Sequence, residues 1–245
     1  GNGMKAIGRY AWGMNPSDGS NGSFAFARSQ YVGLAGGWGA ALVGRVQTPY
    51  KTYGGVAWDP YVATFMEARR SGGMSGDTQG HNGFVNDAIV YASPVMAGIK
   101  FTVAYIADET QLAPAPGAPA GAPNTVGATN GTFTSGISGT WGPVEVIGAY
   151  QNINRSGLSD ITQGKLGVRY KGNGLTAALQ WEDVDSVGRI RVNGNTVGAV
   201  GAGSVLFLNL GYKFGNTLIA GNYGKTDADN VNGVAQQDVD YWTIG

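Results

Sequence analysis

The amino-acid sequence predicts an all-β fold, a transmembrane antiparallel β-barrel, and three observations carry that expectation. Segments of about ten residues alternate apolar with polar or small side chains at period two, as a wall with one lipid face and one wet face requires. The connections between them alternate between tight turns and long loops, the asymmetry such barrels show between their two rims. Glycine supplies 43 of the 245 residues, against 16 basic and 16 acidic side chains. That composition disfavours helix, because each interior glycine costs a helix roughly 1 kcal/mol relative to alanine.

The glycines lack the G-X-Y period of collagen, and their neighbours are Tyr, Val, Leu, Thr and Trp, mostly strand formers. The absence of cysteine excludes disulfides and thiolate metal sites. No Lys/Arg run is present, so no nucleic-acid partner is implied. No stretch of ~18 consecutive apolar residues forms a transmembrane helix, a test that a barrel evades. The chain opens GNGMKAIGRYAW, already strand-like and without a basic and apolar signal segment. The expectation is that a signal peptide has been removed or that the sequence is part of a longer gene product.

The predicted elements follow in chain order. Met4 to Trp12 opens the series. Between Arg28 and Lys51 the chain reads RSQYVGLAGGWGAALVGRVQTPYK, two strands from Phe24 to Ala35 and Ala40 to Thr48 turning at Gly36-Gly37. Asn86 to Ser93 follows, then Ile99 to Tyr105, the clearest: Ile99, Phe101, Val103 and Tyr105 share one face, Lys100, Thr102 and Ala104 the other. Thr132 to Trp141 and Val144 to Asn152 flank Gly142-Pro143. Leu166, Val168 and Tyr170 alternate with Lys165, Gly167 and Arg169, and across Gly172 to Gly174, Leu175, Ala177, Leu179 and Trp181 alternate with Thr176, Ala178, Gln180 and Glu182. Leu206, Leu208, Leu210 and Tyr212 alternate with Phe207, Asn209, Gly211 and Lys213; Asn216 to Lys225 and Asp238 to Gly245 complete about a dozen strands. Long connections are expected at 13–23, 51–84, 106–131, 153–160, 183–203 and 226–237. Aromatics near strand ends, from Tyr10 and Trp12 through Tyr31, Tyr91, Tyr105, Trp141, Tyr150, Tyr170, Trp181, Tyr212 and Tyr223 to Tyr241, suit the girdles at the two membrane interfaces.

RSQYVGLAGGWGAALVGRVQTPY, then Asp59-Pro60 in a long loop, then NDAIVYASPVMAGIKFTVAYI together resemble the general diffusion porins of Gram-negative outer membranes. The likeness is strongest to the proteobacterial branch with a GL-x-G-x-x-G-x-x-x-x-GR-x-x-TP pattern. It implies a single barrel domain over 1–245, a sixteen-stranded homotrimer among membrane lipid and lipopolysaccharide, and a third extracellular loop folded into the lumen. The strands here read as roughly the third to the fourteenth of such a barrel, so terminal strands are expected elsewhere. The implied function is passive diffusion of small hydrophilic solutes and ions, with no cofactor, no metal and no catalysis.

In such a pore, opposed charges at a narrow, low-dielectric constriction select solutes. The loop from Lys51 to Phe84 is the expected constriction, offering Asp59, Glu67 and Asp77 as acids and Arg69 and Arg70 as bases. Strand parity is read as placing Arg9, Arg28, Arg45 and Lys100 inward, with Tyr10, Tyr31, Leu42 and Phe101 taking the lipid phase. The resemblance matches Arg28 and Arg45 to wall positions of the family's basic cluster, and Lys5, Lys165 and Arg169 extend that surface. From this wall a slight anion preference is expected.

Other chemistry finds no pattern. The lone His81 excludes multi-histidine metal sites. Ser29, His81 and Asp87 lack a nucleophile-elbow motif, and GGWGAALVG is not followed by Gly-Lys-Ser/Thr. The run APAPGAPAGAPNTVG reads as a surface loop. Residues 13–23 are a candidate latch onto a neighbouring subunit. The rival functions are a substrate-specific channel and a barrel that anchors surface partners; the rival fold is a soluble all-β adhesin.

Overall fold

The computed structural model describes residues 3–12, 27–62, 64, 66–71, 73–75, 84–107, 129–155, 160–185, 188–192, 195–200, 202–229 and 238–245. Asp77, His81, the 13–23 loop and the proline-rich run lie outside these residues.

Twelve strands form one antiparallel sheet in which almost every neighbour in space is the neighbour in sequence. They are β1 (Lys5–Trp12), β2 (Ala27–Gly36), β3 (Gly39–Gln47), β4 (Phe84–Ala92), β5 (Ile99–Ile106), β6 (Thr129–Trp141), β7 (Val144–Arg155), β8 (Ile161–Gly172) and β9 (Leu175–Val184). After a separate hairpin of β10 (Gly188–Val192) and β11 (Asn195–Val200), the sheet resumes with β12 (Gly203–Phe214), β13 (Thr217–Ala228) and β14 (Val239–Ile244). Of these, β10 and β11 correct the loop expected over 183–203: GRIRV and NTVGAV, five and six residues long, fall short of the ten-residue alternation that marks the wall strands.

The up-and-down order follows from the tight turns. Asn173 and Gly174 both hold positive φ, 53° and 79°, the conformation a two-residue hairpin needs to match strand twist. Between β2 and β3 the turn falls at Gly37-Trp38, one residue later than expected, because Gly36 pairs with Gly39. All the tight turns lie at one rim and the long connections at the other.

The two faces of the sheet differ sharply. One phase is apolar and exposed: Val32, Val43, Ile89, Ile137, Val146, Leu166, Leu179, Leu206, Leu208 and Leu210. A soluble protein rarely leaves so continuous an apolar surface uncovered. Aromatics cap both ends of this band, with Trp38, Trp141, Tyr212 and Phe214 toward the tight turns and Tyr10, Tyr105, Phe133, Tyr150, Trp181 and Tyr223 toward the long loops. On β6, Phe133 and Trp141 stand eight residues apart, about 26 Å along the strand, close to the height of a membrane-facing band.

The opposite phase is buried and largely polar, with Thr134, Ser138, Gln151, Gln163, Lys165, Gln180, Glu182, Asn209, Asn222 and Thr226. At β2 to β5 the same phase is apolar instead: Val46, Val85, Ala88, Val90, Ala104 and Ile106 form a cluster against which Tyr31 and Leu42 pack. This corrects the expected lipid phase of Tyr31 and Leu42. Tyr31 and Val32, and Leu42 and Val43, are consecutive apolar residues, so alternation alone does not fix their side.

Candidate functional site: a loop packed on the inner wall

The segment between β3 and β4 lies on the buried face. Thr48 starts it by accepting from the Lys51 backbone N–H at 3.2 Å, with Pro49 in the first position of helix α1 (Pro49–Thr52). A 3-10 turn follows at Gly55–Ala57, and helix α2 at Ala68–Ser71. Its contacts run from Phe84 on β4, where the Lys51 ammonium sits 4.3 Å from the ring centre, to Tyr241 on β14, whose hydroxyl donates to the Met66 carbonyl. Laid flat, the nine sheet strands from β4 to β14 would span roughly 38 Å; contact with one short segment at both ends requires a sheet curved around it.

Glycines on the inner wall make the close approach possible. A Cβ at Gly136 would stand 2.3 Å from the Tyr53 ring, one at Gly167 2.7 Å from Trp58, and one at Gly224 2.2 Å from the Gly73 backbone. The buried loop aromatics Tyr50, Tyr53 and Trp58, with Met74, pack with Ile147, Ala149, Ala178, Phe207 and Tyr241 of the wall.

Polar anchors then fix the loop. Glu182 on β9 is fully buried and accepts from the Tyr50 hydroxyl at 2.8 Å, from Gln180 Nε2 at 2.9 Å, and from the Ser75 hydroxyl and backbone N–H. Burial, with the Glu182 charge beside it, pushes the Tyr50 phenol well above its ordinary value, so it remains a neutral donor. Gln180 Oε1 takes the Gly55 N–H. Trp58 Nε1 donates to Glu145 at 3.1 Å, and Arg169 closes an ion pair with the same carboxylate at 2.6 Å while lying 5.5 Å from the Trp58 ring centre.

Asp59 accepts from the Tyr61 and Ala68 backbone N–H groups, both at 2.9 Å, and from Asn222 Nδ2 at 2.7 Å. Burial raises its carboxyl above the usual range even though all three donors oppose that shift. Glu67 is buried and paired with Arg69. Arg70 lies in α2, its side chain outside the described residues.

On the wall, Lys100 faces the loop, its ammonium 5.5 Å from the Tyr53 ring centre. Lys165 is buried 4.2 Å from the Tyr50 ring centre, and its ammonium has no hydrogen-bond partner among the described residues. Arg9 pairs with Tyr31 and shares its inner phase. Arg28 lies at a register shift of β2 against β1; Arg45 donates to Asn86 at 2.6 Å beside another shift and lies 5.6 Å from the centre of the Phe84 ring that the loop's Lys51 also covers. Lys165, Lys100 and Arg169 thus lie beside the loop's Tyr50, Tyr53 and Trp58, Arg45 reaches its start through Phe84, and Asp59 and Glu67 sit further along, at Asn222 and Arg69. Sequence reasoning missed Tyr50, Glu145, Gln180, Glu182 and Asn222 as anchors. Their signal was present as polar residues, some beside glycines, on the phase opposite the apolar band.

An antiparallel sheet with a membrane-type apolar band outside and a polar wall gripping a long loop inside is the architecture of outer-membrane β-barrels. The chain matches the Gram-negative porin family over residues 1–245 and belongs to it, which places it in the outer membrane. Among solved structures it is similar to the anion-selective porin from Comamonas acidovorans, at 22% identity and TM-score 0.66 over 93% of this chain and 65% of that one. It is also similar to Salmonella typhi OmpF in complex with daunomycin, at 14% identity and TM-score 0.74 over 98% and 71%. A mutant of the Rh. blastica porin matches at 14% identity and TM-score 0.55 over 92% and 75%. The chain thus spans just under two thirds of the length of the Comamonas protein. A search of curated proteins gives no match.

Proposed function

We propose that the protein is a water-filled channel through which small hydrophilic solutes and ions diffuse passively, with the 51–84 segment as its constriction. The observation that carries this reading is the loop held on the largely polar inner wall from β5 to β14, where it would narrow the interior of a closed barrel. The proposed working unit is a homotrimer surrounded by lipid and lipopolysaccharide.

The charge balance at the loop supports a weak anion preference. The carboxylates there are tied up: Asp59 by three donors, Glu67 by Arg69, Glu145 by Arg169, and Glu182 by Tyr50, Ser75 and Gln180. Lys100, Lys165 and Arg9 supply positive charge on the same phase. A low-dielectric passage makes such unbalanced charge felt by permeating ions.

Planar-bilayer recording of the full-length protein tests both parts. Stepwise openings whose current does not saturate with solute, and a reversal potential of anionic sign under a salt gradient, are expected. Saturating, competable current would instead establish a substrate-specific channel, and silence from folded, inserted protein would refute the channel reading.

A further inference from the structure

Buried side-chain atoms without a hydrogen-bond partner gather, among the described residues, on two neighbouring inward positions of β8. They are the Lys165 ammonium and both amide atoms of Gln163, on residues only 2% and 1% exposed. Gln163 stands opposite Gln151 of β7, and Lys165 opposite Glu182 of β9. Folded proteins satisfy nearly all such groups, and a charge this far from solvent is the costliest kind to leave unpaired.

Glu182 does not supply the missing acceptor. One of its oxygens takes the Tyr50 and Ser75 hydroxyls and the other takes Gln180 Nε2 and the Ser75 N–H, about the full capacity of a carboxylate. It attracts Lys165 without hydrogen-bonding it. Tyr50 offers only a ring face, 4.2 Å from the ammonium. The Tyr50 N–H donates to Thr134 on β6 at 3.3 Å and its hydroxyl donates to Glu182 on β9, so this residue spans β7 and β8 and covers Lys165.

Lys165 and Gln163 lie on one face of the strand about 7 Å apart, close enough for their head groups to share one small ion. Together they offer five N–H donors and one carbonyl acceptor. A water would add two donors to that surplus, whereas an anion adds acceptors alone and neutralises the buried charge.

We infer that Lys165 and Gln163 bind a small monovalent anion of the chloride class beneath Tyr50, and that this ion helps to hold the loop on the wall. With the ion in place, docking Tyr50 covers a neutral pair; without it, the same docking buries a bare ammonium. Anion binding and loop docking therefore strengthen each other by the same factor. The site belongs to the wall and the docked loop and needs no current through the pore.

The test is trypsin cleavage of the full-length protein in detergent micelles, with chloride exchanged for the bulky anion isethionate at a constant ionic strength of about 0.1 M, so that screening stays fixed. Lys51 is buried and Arg69 half-buried in the docked loop, and cleavage there reports the undocked population. In the wild type, cleavage should slow about tenfold from isethionate to chloride, the response of a site with a dissociation constant of roughly 10 mM. Lys165→Met leaves no charge to bury bare and should lose the chloride dependence. Gln163→Leu keeps the charge and removes half of the site, so it should need several-fold more chloride for the same protection. Bromide locates the ion by anomalous scattering in crystals of the wild-type protein, with the peak expected beside Lys165 Nζ and Gln163 Nε2. Wild-type cleavage indifferent to chloride, a chloride response unchanged in both variants, or water instead of bromide beside Lys165 would each overturn the site.

Discussion

Replacing Glu182 with Gln should release the loop while sparing the sheet. The carboxylate is fully buried, and its Oε2 alone accepts from both Tyr50 and Ser75, with Oε1 serving Gln180 and the Ser75 N–H. Glutamine keeps the shape but turns one of those oxygens into a donor, so whichever way the amide sits, two donors lose their acceptor. Hydrogen bonds to a charged group contribute about 1.5–3 kcal/mol each, and a buried donor left unsatisfied costs about 1–3 kcal/mol. Relief from burying a charge offsets part of this, leaving roughly 2–4 kcal/mol. Because Tyr50 and Ser75 both belong to the loop, the loss falls on its attachment. At 1.4 kcal/mol per decade the detached population should rise about 30- to 700-fold. Limited trypsin digestion measures this, since cleavage at Lys51 and Arg69, buried or half-buried when docked, tracks the open population when reclosing is fast. An unchanged cleavage rate in a variant whose strand content is intact would refute the anchoring role.

Other substitutions test other parts of the same packing. Gly224→Ala places a methyl group 2.2 Å from the Gly73 backbone, which no side-chain rotation relieves; a loss of roughly 1–3 kcal/mol in loop attachment is expected, read as faster trypsin cleavage, whereas Gly164→Ala, with its nearest atom at 3.9 Å, should be silent. Asp59 has a raised pKa in the docked loop, so the docked state holds its proton more tightly than the free one; attachment should strengthen as pH falls through that raised value toward the ordinary carboxyl range, and the Asp59→Asn variant should lack this component of the pH dependence of loop-linked current noise. Leu208→Arg, in the exposed band of β12, should destabilise the folded protein in bilayers by roughly 2–4 kcal/mol, measured by urea unfolding from liposomes, with little effect in a detergent of mobile headgroups.

The strands were legible because their cause is local. On β9, Leu179 and Trp181 point out while Gln180 and Glu182 point in, and period two in the sequence is period two in the wall. Twelve sheet strands were visible this way, each within a few residues of its observed bounds, as were the inner phases of Lys100, Lys165 and Arg169. Where the inner face is itself apolar, the signal fails: Leu42 and Val43 are equally hydrophobic, and only the buried cluster of Val46, Val85 and Val90 shows which of them faces in.

The sequence by itself therefore determined the class of fold, its family likeness, the two rims and which loop is long. Tertiary structure alone decided what that loop touches. Tyr50 meets Glu182 across 132 residues and Asp59 meets Asn222 across 163, and no local pattern links such pairs. They come together because the sheet curves, bringing one residue in two from each strand onto a shared interior where buried carboxylates must find donors.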